Sequence, residues 1–274
     1  MTAALYIGKV GLEDDIRIKE LAASLEKGGC SCYEVSEGDG LRDGTDLLLS
    51  VGGDGTFLSA AMLVADGGIP VVGVNLGRLG FLSENRPEDV AQAILNKDYI
   101  VEDRSLLSTT LSVNSGNPSI DEWPFALNEV TVHRSGAAML GVDVCLDGKW
   151  LPTYWADGVI VSTSSGSTAY SLSVGGPIVL PQSKVLILAP IAPHNLNMRP
   201  LVIPDNSEIR MRMHSRDGRV VLTIDNRTVE LSSETEITVS LARFSLRRVR
   251  FNNSDFINAL TEKLYWGEDV RNVK

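Results

Sequence analysis

Cysteine is scarce in this 274-residue sequence. Only Cys30, Cys32 and Cys145 occur, an odd number with no CxxC pair and no neighbouring histidine. Neither a disulfide framework nor a zinc site is supported, and the chain reads as cytoplasmic and reduced. Histidine is equally sparse: His133, His194 and His214 lack metal-ligand spacing and read as structural residues. A basic excess is missing as well. The 25 Lys and Arg against 35 Asp and Glu give a net charge of −10, which argues against broad binding along a nucleic-acid backbone. Apolar runs such as Leu47-Leu48-Leu49 and Val185 to Pro190 fall far short of the roughly 20 residues that cross a bilayer. No membrane span is therefore expected. The opening residues lack the basic start and long apolar stretch of a secretory signal, so the mature chain is expected to begin there. No internal repeat or low-complexity stretch occurs.

What is present describes a globular protein with one or two cores, 43% of its residues being apolar. The acidity is concentrated in residues 1–100, with 8 basic against 16 acidic side chains, which hints at two parts. The first hundred residues alternate strand and helix patterns. Strands are expected at Ala3 to Ile7, Asp46 to Val51 and Ile69 to Val74. Helices are expected around Ile18 to Leu25, Leu58 to Ala65 and Pro87 to Leu95. A strand-helix-strand crossover means a parallel sheet, so residues 1–105 read as an α/β domain. From residue 106 to 250 the texture is β-rich, with strands at 127–133, 142–146, 159–163, 185–188, 209–213, 220–224 and 237–241. Turn candidates lie at Asp147-Gly148, Asp217-Gly218 and Asp225-Asn226. A last amphipathic helix in 251–274, marked by Phe256, Ile257, Leu260 and Leu264, is expected to pack on the first domain. Arg247, Arg248 and Arg250 read as a solvated strand face.

Three segments carry chemistry. Gly52-Gly53-Asp54-Gly55-Thr56 sits between a buried strand and a helix, where small residues let backbone N–H groups approach a polyphosphate. It is neither a P-loop nor a dinucleotide fingerprint. Asp54 is out of place among phosphate-binding amides unless it binds a metal or accepts a proton from an attacking hydroxyl. Asn128-Glu129 interrupts a strand-like run; the pair suits either a solvated face or a pocket that reads an adenine edge or ribose hydroxyls. Asp157 to Gly176 is dense in hydroxyls and resembles a binding loop. Ser165, Thr168, Tyr170 and Ser173 are candidate hydrogen-bonding groups, and Gly166 and Ala169 leave room for a flat heterocycle. A flexible surface loop is the competing reading of that composition.

Together, in this order and spacing, the three segments resemble the NAD kinases. The resemblance covers nearly the whole chain and extends to Asn75 through Leu82, to Pro190 through Pro200 and to Phe256 through Trp266. It implies an enzyme that transfers the γ-phosphoryl of ATP, or phosphate from another donor such as polyphosphate, to the 2′-hydroxyl of NAD's adenosine ribose, with Mg2+ or another divalent cation. The implied active site lies between the α/β and β domains. By the resemblance Asp54 is the general base; Gly52, Gly53, Gly55 and Thr56 bind phosphate; and Asp54, Gly55, Phe81, Asn128, Glu129, Asp157, Ser165, Thr168, Ala169, Tyr170 and Ser173 bind NAD. The cation is expected to be held by the donor phosphates, with no protein metal ligand assigned. Homodimers or homotetramers are implied, and neither nucleic acid nor membrane is an expected partner.

Some positions depart from the family pattern. Ala156 replaces a common glycine, Ser164 a common proline and Ser59 a common basic residue, and Arg227 lies near a common glutamine. A GGDG turn alone also suits a lipid kinase of the GGDGT group, and the same pocket without turnover suits a non-catalytic NAD(P) sensor. The polar hydroxyl-rich loop argues against the first and Asp54 against the second.

Overall fold

The computed structural model describes residues 1–8, 12, 14–77, 80–252 and 255–267. In chain order the elements begin with β1 (Thr2–Ile7), α1 (Ile16–Lys27), β2 (Ser31–Val35), β3 (Leu47–Val51), α2 (Asp54–Val64), β4 (Val71–Val74) and α3 (Pro87–Leu95). Next come β5 (Tyr99–Leu111), α4 (Pro118–Asp121), β6 (Phe125–Ala126), β7 (Glu129–Arg134), β8 (Leu140–Leu146), β9 (Lys149–Trp150) and β10 (Tyr154–Ala156). After β11 (Gly158–Thr163) the chain makes a 3-10 turn at Ser165–Thr168 and a short helix, α5 (Tyr170–Ser173). The remainder is β12 (Val185–Ile191), β13 (Leu201–Pro204), β14 (Ile209–His214), β15 (Arg219–Ile224), β16 (Arg227–Ser232), β17 (Ile237–Phe251) and α6 (Phe256–Leu264). Two compact units result, residues 1–103 with 246–274, and residues 104–245.

The first unit is an α/β layer structure on a parallel sheet. Its strand order is β2-β1-β3-β4, with the end of β17 parallel to β4 through Arg248 and Val71. Leu47, Leu49 and Val51 face a core completed by Ile18, Leu21 and Leu25 of α1, Val90 and Ile94 of α3, and Val249 and Phe251 of β17. Because successive side chains alternate in direction, Leu48 and Ser50 face the other side, where α2 packs on β3 and β4. Helices on both faces explain why β3 is buried at every position.

The second unit is a β-sandwich. One sheet runs β13-β12-β11-β7-β15-β16, antiparallel at every pairing. The other contains β10, β8 and β14 with the first part of β17, also antiparallel. Val130, Val132, Val159 and Val161 from the first sheet meet Leu140, Val142, Ile209 and Met211 from the second in one core. Ile160, Ile187 and Ala189 point to the opposite face, where Val174 and Val179 cover them. The segment after β11 is thus folded back onto the sheet.

Two sequence expectations are corrected. The helix after the glycines begins at Asp54, not near Leu58, which places this carboxylate in the first turn of α2. The arginine run of β17 is not a solvated face: Arg248 is 4% exposed and pairs with Glu84 at 2.6 Å, and Arg250 pairs with Glu102 at 2.6 Å. Arg247 alone of the three is exposed. The corrected placement follows from the strand entering the first unit, where acids on neighbouring segments meet it. Among the described residues no helix is long and apolar enough to cross a membrane.

Candidate active site

In the α/β unit the Asp54 side chain organises the loop that follows β4. Its Oδ2 accepts the backbone N–H of Phe81 at 2.8 Å; its Oδ1 accepts those of Leu82 and Ser83 at 3.0 and 2.9 Å. Three successive amides thus converge on one carboxylate, each bond strengthened by its charge. Gly80 is required for this approach, because a Cβ there would lie 1.9 Å from Asp54 Oδ1. The carbonyls of the loop are held as well. Ser83 O accepts from Gly80 N at 3.0 Å and from Asn75 Nδ2 at 3.1 Å, Arg248 reaches Leu82 O at 3.5 Å, and Lys263 donates to Gly80 O. Phe81 is half-buried with Lys263 over its ring. Arg78 and Leu79, part of the family-like loop segment, lie outside the described residues.

Gly52, Gly53, Gly55 and Thr56 surround the start of α2. Gly53 is its N-cap and offers no side-chain acceptor, and the first-turn amides, Gly55 and Thr56 among them, lack an intrahelical acceptor as at any helix N-terminus. A Cβ at Gly52 would lie 2.3 Å from Thr56 Oγ1. The glycine lets Thr56 fold back over the strand end.

In the β unit Asn128 and Glu129 are buried at the start of β7, each 9% exposed, which excludes the solvated-face alternative. Asp225 holds them. Its carboxylate accepts the N–H groups of Leu127, Asn128 and Glu129 at 2.8, 2.8 and 3.1 Å. From the same hairpin Arg227 donates to the carbonyls of Ser119, Trp123 and Phe125. The Asp-Asn dipeptide reads in the sequence only as a turn, and its role depends on partners nearly a hundred residues away. Burial, and then the neighbouring Asp225, push the Glu129 carboxyl up to about 8, against a hydrogen bond from the Tyr170 backbone. Burial also raises Asp225, but three amides and Arg227 oppose it there, whereas Glu129 Oε2 is buried with no partner among the described residues. Both carboxyls are thus raised by burial, and Glu129 has fewer groups to stabilise its charged form.

The hydroxyl-rich segment divides in two. Ser162 and Thr163 turn inward to the carbonyls of Asn128 and Leu127 at 3.2 and 2.6 Å; Ser164 and Ser167 bond the carbonyls of Pro181 and Val179 at 3.0 and 3.1 Å. Ser165, Thr168 and Ala169 are partly exposed, and Tyr170 and Ser173 are exposed. This is a built segment, not a flexible surface loop. Gly166 does not leave space for a heterocycle, as its sequence reading has it: a Cβ there would lie 2.2 Å from Asn128 O, so the carbonyl already fills the gap. Tyr170 stacks on His133 with centroids 5.8 Å apart and planes 12° apart, and burial holds the His133 imidazole below its usual value. Asp157, half-buried between β10 and β11, pairs with Arg134 at 2.6 Å.

The ATP-NAD kinase N-terminal domain family matches residues 19–99 and the ATP-NAD kinase C-terminal domain family residues 127–251. The NAD kinase of Flavobacterium psychrophilum is 44% identical over 231 residues, 83% of this chain and 78% of that protein. The chain belongs to the NAD kinase family. It is a phosphotransferase of that family, and the lipid-kinase and sensor alternatives find no support. The NAD kinase of Bacteroides fragilis is 41% identical over 230 residues, 82% of this chain and 78% of that protein. Among solved structures, an NAD kinase from Archaeoglobus fulgidus in complex with ATP superposes with a TM-score of 0.78 at 27% identity, covering 97% of this chain and 99% of that one. Yeast NADH kinase complexed with NADH gives 0.83 at 25% identity, covering 100% and 90%. The α/β unit with a parallel sheet followed by an antiparallel β unit is the NAD kinase fold.

Proposed function

We propose that this NAD kinase family member transfers the γ-phosphoryl of ATP to the 2′-hydroxyl of NAD's adenosine ribose, with Asp54 as the general base. The hydroxyl oxygen forms a bond to the γ-phosphorus as the bond to the β,γ-bridging oxygen breaks, ADP leaves, and the hydroxyl proton passes to Asp54. The observation that carries the base assignment is the geometry of the carboxylate. Oδ1 accepts two amides but Oδ2 only one, so Oδ2 keeps an acceptor position for a hydroxyl while the group cannot rotate.

The first-turn amides of α2, with Gly52, Gly53, Gly55 and Thr56, are proposed to hold donor phosphates. Phe81, Asn128, Glu129, Asp157, Ser165, Thr168, Ala169, Tyr170 and Ser173 are proposed to bind NAD with Asp54 and Gly55. A protonated Glu129 would serve there as a hydrogen-bond donor, an unusual capacity for a carboxyl group near neutral pH. A divalent cation is assigned to the donor phosphates, which it would neutralise. The reading extends to a homodimer or homotetramer, supported by the family alone, and to the cytoplasm, with which three free cysteines agree.

The test is NADP formation from NAD, ATP and magnesium, read through an NADP-specific dehydrogenase, with NAD binding followed by calorimetry. Asp54→Asn is expected to bind NAD without turnover. Turnover in that variant would overturn the base assignment, and no NADP from the wild-type chain, with ATP or polyphosphate, would overturn the reaction.

A further inference from the structure

The peptide group joining Gly80 to Phe81 is gripped at both ends by opposite charges. Its N–H donates to Asp54 Oδ2 at 2.8 Å, and its C=O accepts from the ammonium of Lys263, which lies 183 residues further along the chain in α6. The same ammonium sits 4.5 Å from the centroid of the Phe81 ring. Phe81 packs in turn on Phe256, at the start of α6, with centroids 6.0 Å apart. Two contacts from one helix therefore fix both the backbone and the side chain of residue 81. Residues 52–59 contribute no cation of their own.

We propose that Lys263 is a positioning residue for the phosphoryl transfer: it fixes the orientation of the 80–81 peptide, and through the Phe81 N–H the orientation of the Asp54 carboxylate. The inference rests on the reading of Asp54 as the base. Without the ammonium the Gly80 carbonyl loses a charge-assisted partner, and the peptide is free to turn about its flanking bonds. The Phe81 N–H then leaves Oδ2. A carboxylate held by two amides on Oδ1 alone can swing, and the hydroxyl proton no longer meets a fixed acceptor. Lys263 itself touches neither substrate in this account.

The charged groups around Lys263 are Glu84, Asp54 and Glu262, which favour its protonated form, and Arg248, which opposes it; burial is the largest influence and lowers its pKa. The ammonium is thus expected to lose its proton earlier on the alkaline side than a surface lysine does.

The experiment compares wild type, Lys263→Met and Lys263→Arg in steady-state NADP formation across pH, and in amide hydrogen exchange of the substrate-free proteins. Lys263→Met is expected to lower kcat by about tenfold or more, the scale of a misplaced catalytic group, and to raise KM for NAD by a smaller factor through Phe81. Lys263→Arg should restore most of kcat and remove the alkaline fall expected of the wild type, because a guanidinium stays charged. Exchange at Phe81, Leu82 and Ser83 should accelerate in Lys263→Met and not in Lys263→Arg. Unchanged kcat in Lys263→Met, or a loss of stability with no change in kcat, would overturn the proposal. Should the methionine variant not fold, Lys263→Arg decides alone: an alkaline limb identical to wild type overturns the idea. The exchange measurement needs no turnover, so a wild type that makes no NADP would remove the Asp54 reading, while unchanged exchange at 81–83 in Lys263→Met would remove the clamp.

Discussion

The backbone N–H of Glu129 donates to Asp225 Oδ1 at 3.1 Å, tying together two carboxyl groups that are both withdrawn from water. Asp225 gathers three amides, while burial and the neighbouring Asp225 raise the Glu129 carboxyl.

Stability should consequently fall as pH rises. Glu129 is raised from its usual 4.5 to about 8, so between these values the folded chain retains a proton that the unfolded chain has released. The unfolding free energy therefore declines across that window and levels off above about 8, by up to a few kcal/mol. Glu129→Gln should flatten this dependence. Urea titrations from pH 5 to 9 on both proteins measure it, and parallel curves would refute the assignment.

Gly80→Ala should cost most of the activity. Its Cβ would meet Asp54 Oδ1 at 1.9 Å, so either the 81–83 amides or the carboxylate must move. A drop in kcat of about a hundredfold is expected, on the scale set by displacements near 1 Å, with NAD affinity measured by calorimetry little altered.

Gly166→Ala should act on NAD instead. A Cβ 2.2 Å from Asn128 O pushes on the segment that Asp225 holds, so KM for NAD is expected to rise by more than kcat falls. Equal effects on both parameters would count against Asn128 as a contact to NAD.

Breaking the buried pair Arg248–Glu84, whose side chains are 5% and 9% exposed, should be costly. Arg248→Met leaves a carboxylate withdrawn from water with its cation removed, a loss of roughly 3–5 kcal/mol. Replacing both partners, as Arg248→Met with Glu84→Leu, should recover much of that, and chemical denaturation of the single and double variants measures the difference.

Much of this architecture is legible in the sequence, because burial on two faces writes long apolar runs such as Leu47 to Leu49, and burial on one face writes alternation. Edge strands are harder. Leu201–Pro204 and Arg227–Ser232 each have mostly accessible side chains: the first is too short to show a period, and in the second only Val229 and Leu231 carry one. The start of α2 is hidden for another reason: Gly-Gly-Asp-Gly-Thr has poor helix propensity, and the side-chain bonds of Asp54 override it. The motif residues are readable as a pattern, but their supports are not. Asp225, Arg227, Arg248 and Lys263 act through partners 96 to 183 residues away, and nothing local in the sequence distinguishes a surface arginine from one that meets a buried glutamate.

The α/β unit is discontinuous: residues 1–103 share their core with Val249 and Phe251, and the β unit of residues 104–245 is a topological insertion between them. During synthesis the inserted sandwich has its whole sequence available before the enclosing unit does. The Asp54 loop waits longest, since Arg248 and Lys263 are translated after the entire insert. Assembly of the proposed catalytic carboxylate is thereby a late event of folding, and a chain stalled within the insert would carry the GGDGT segment without the arginine and lysine that hold its partner loop.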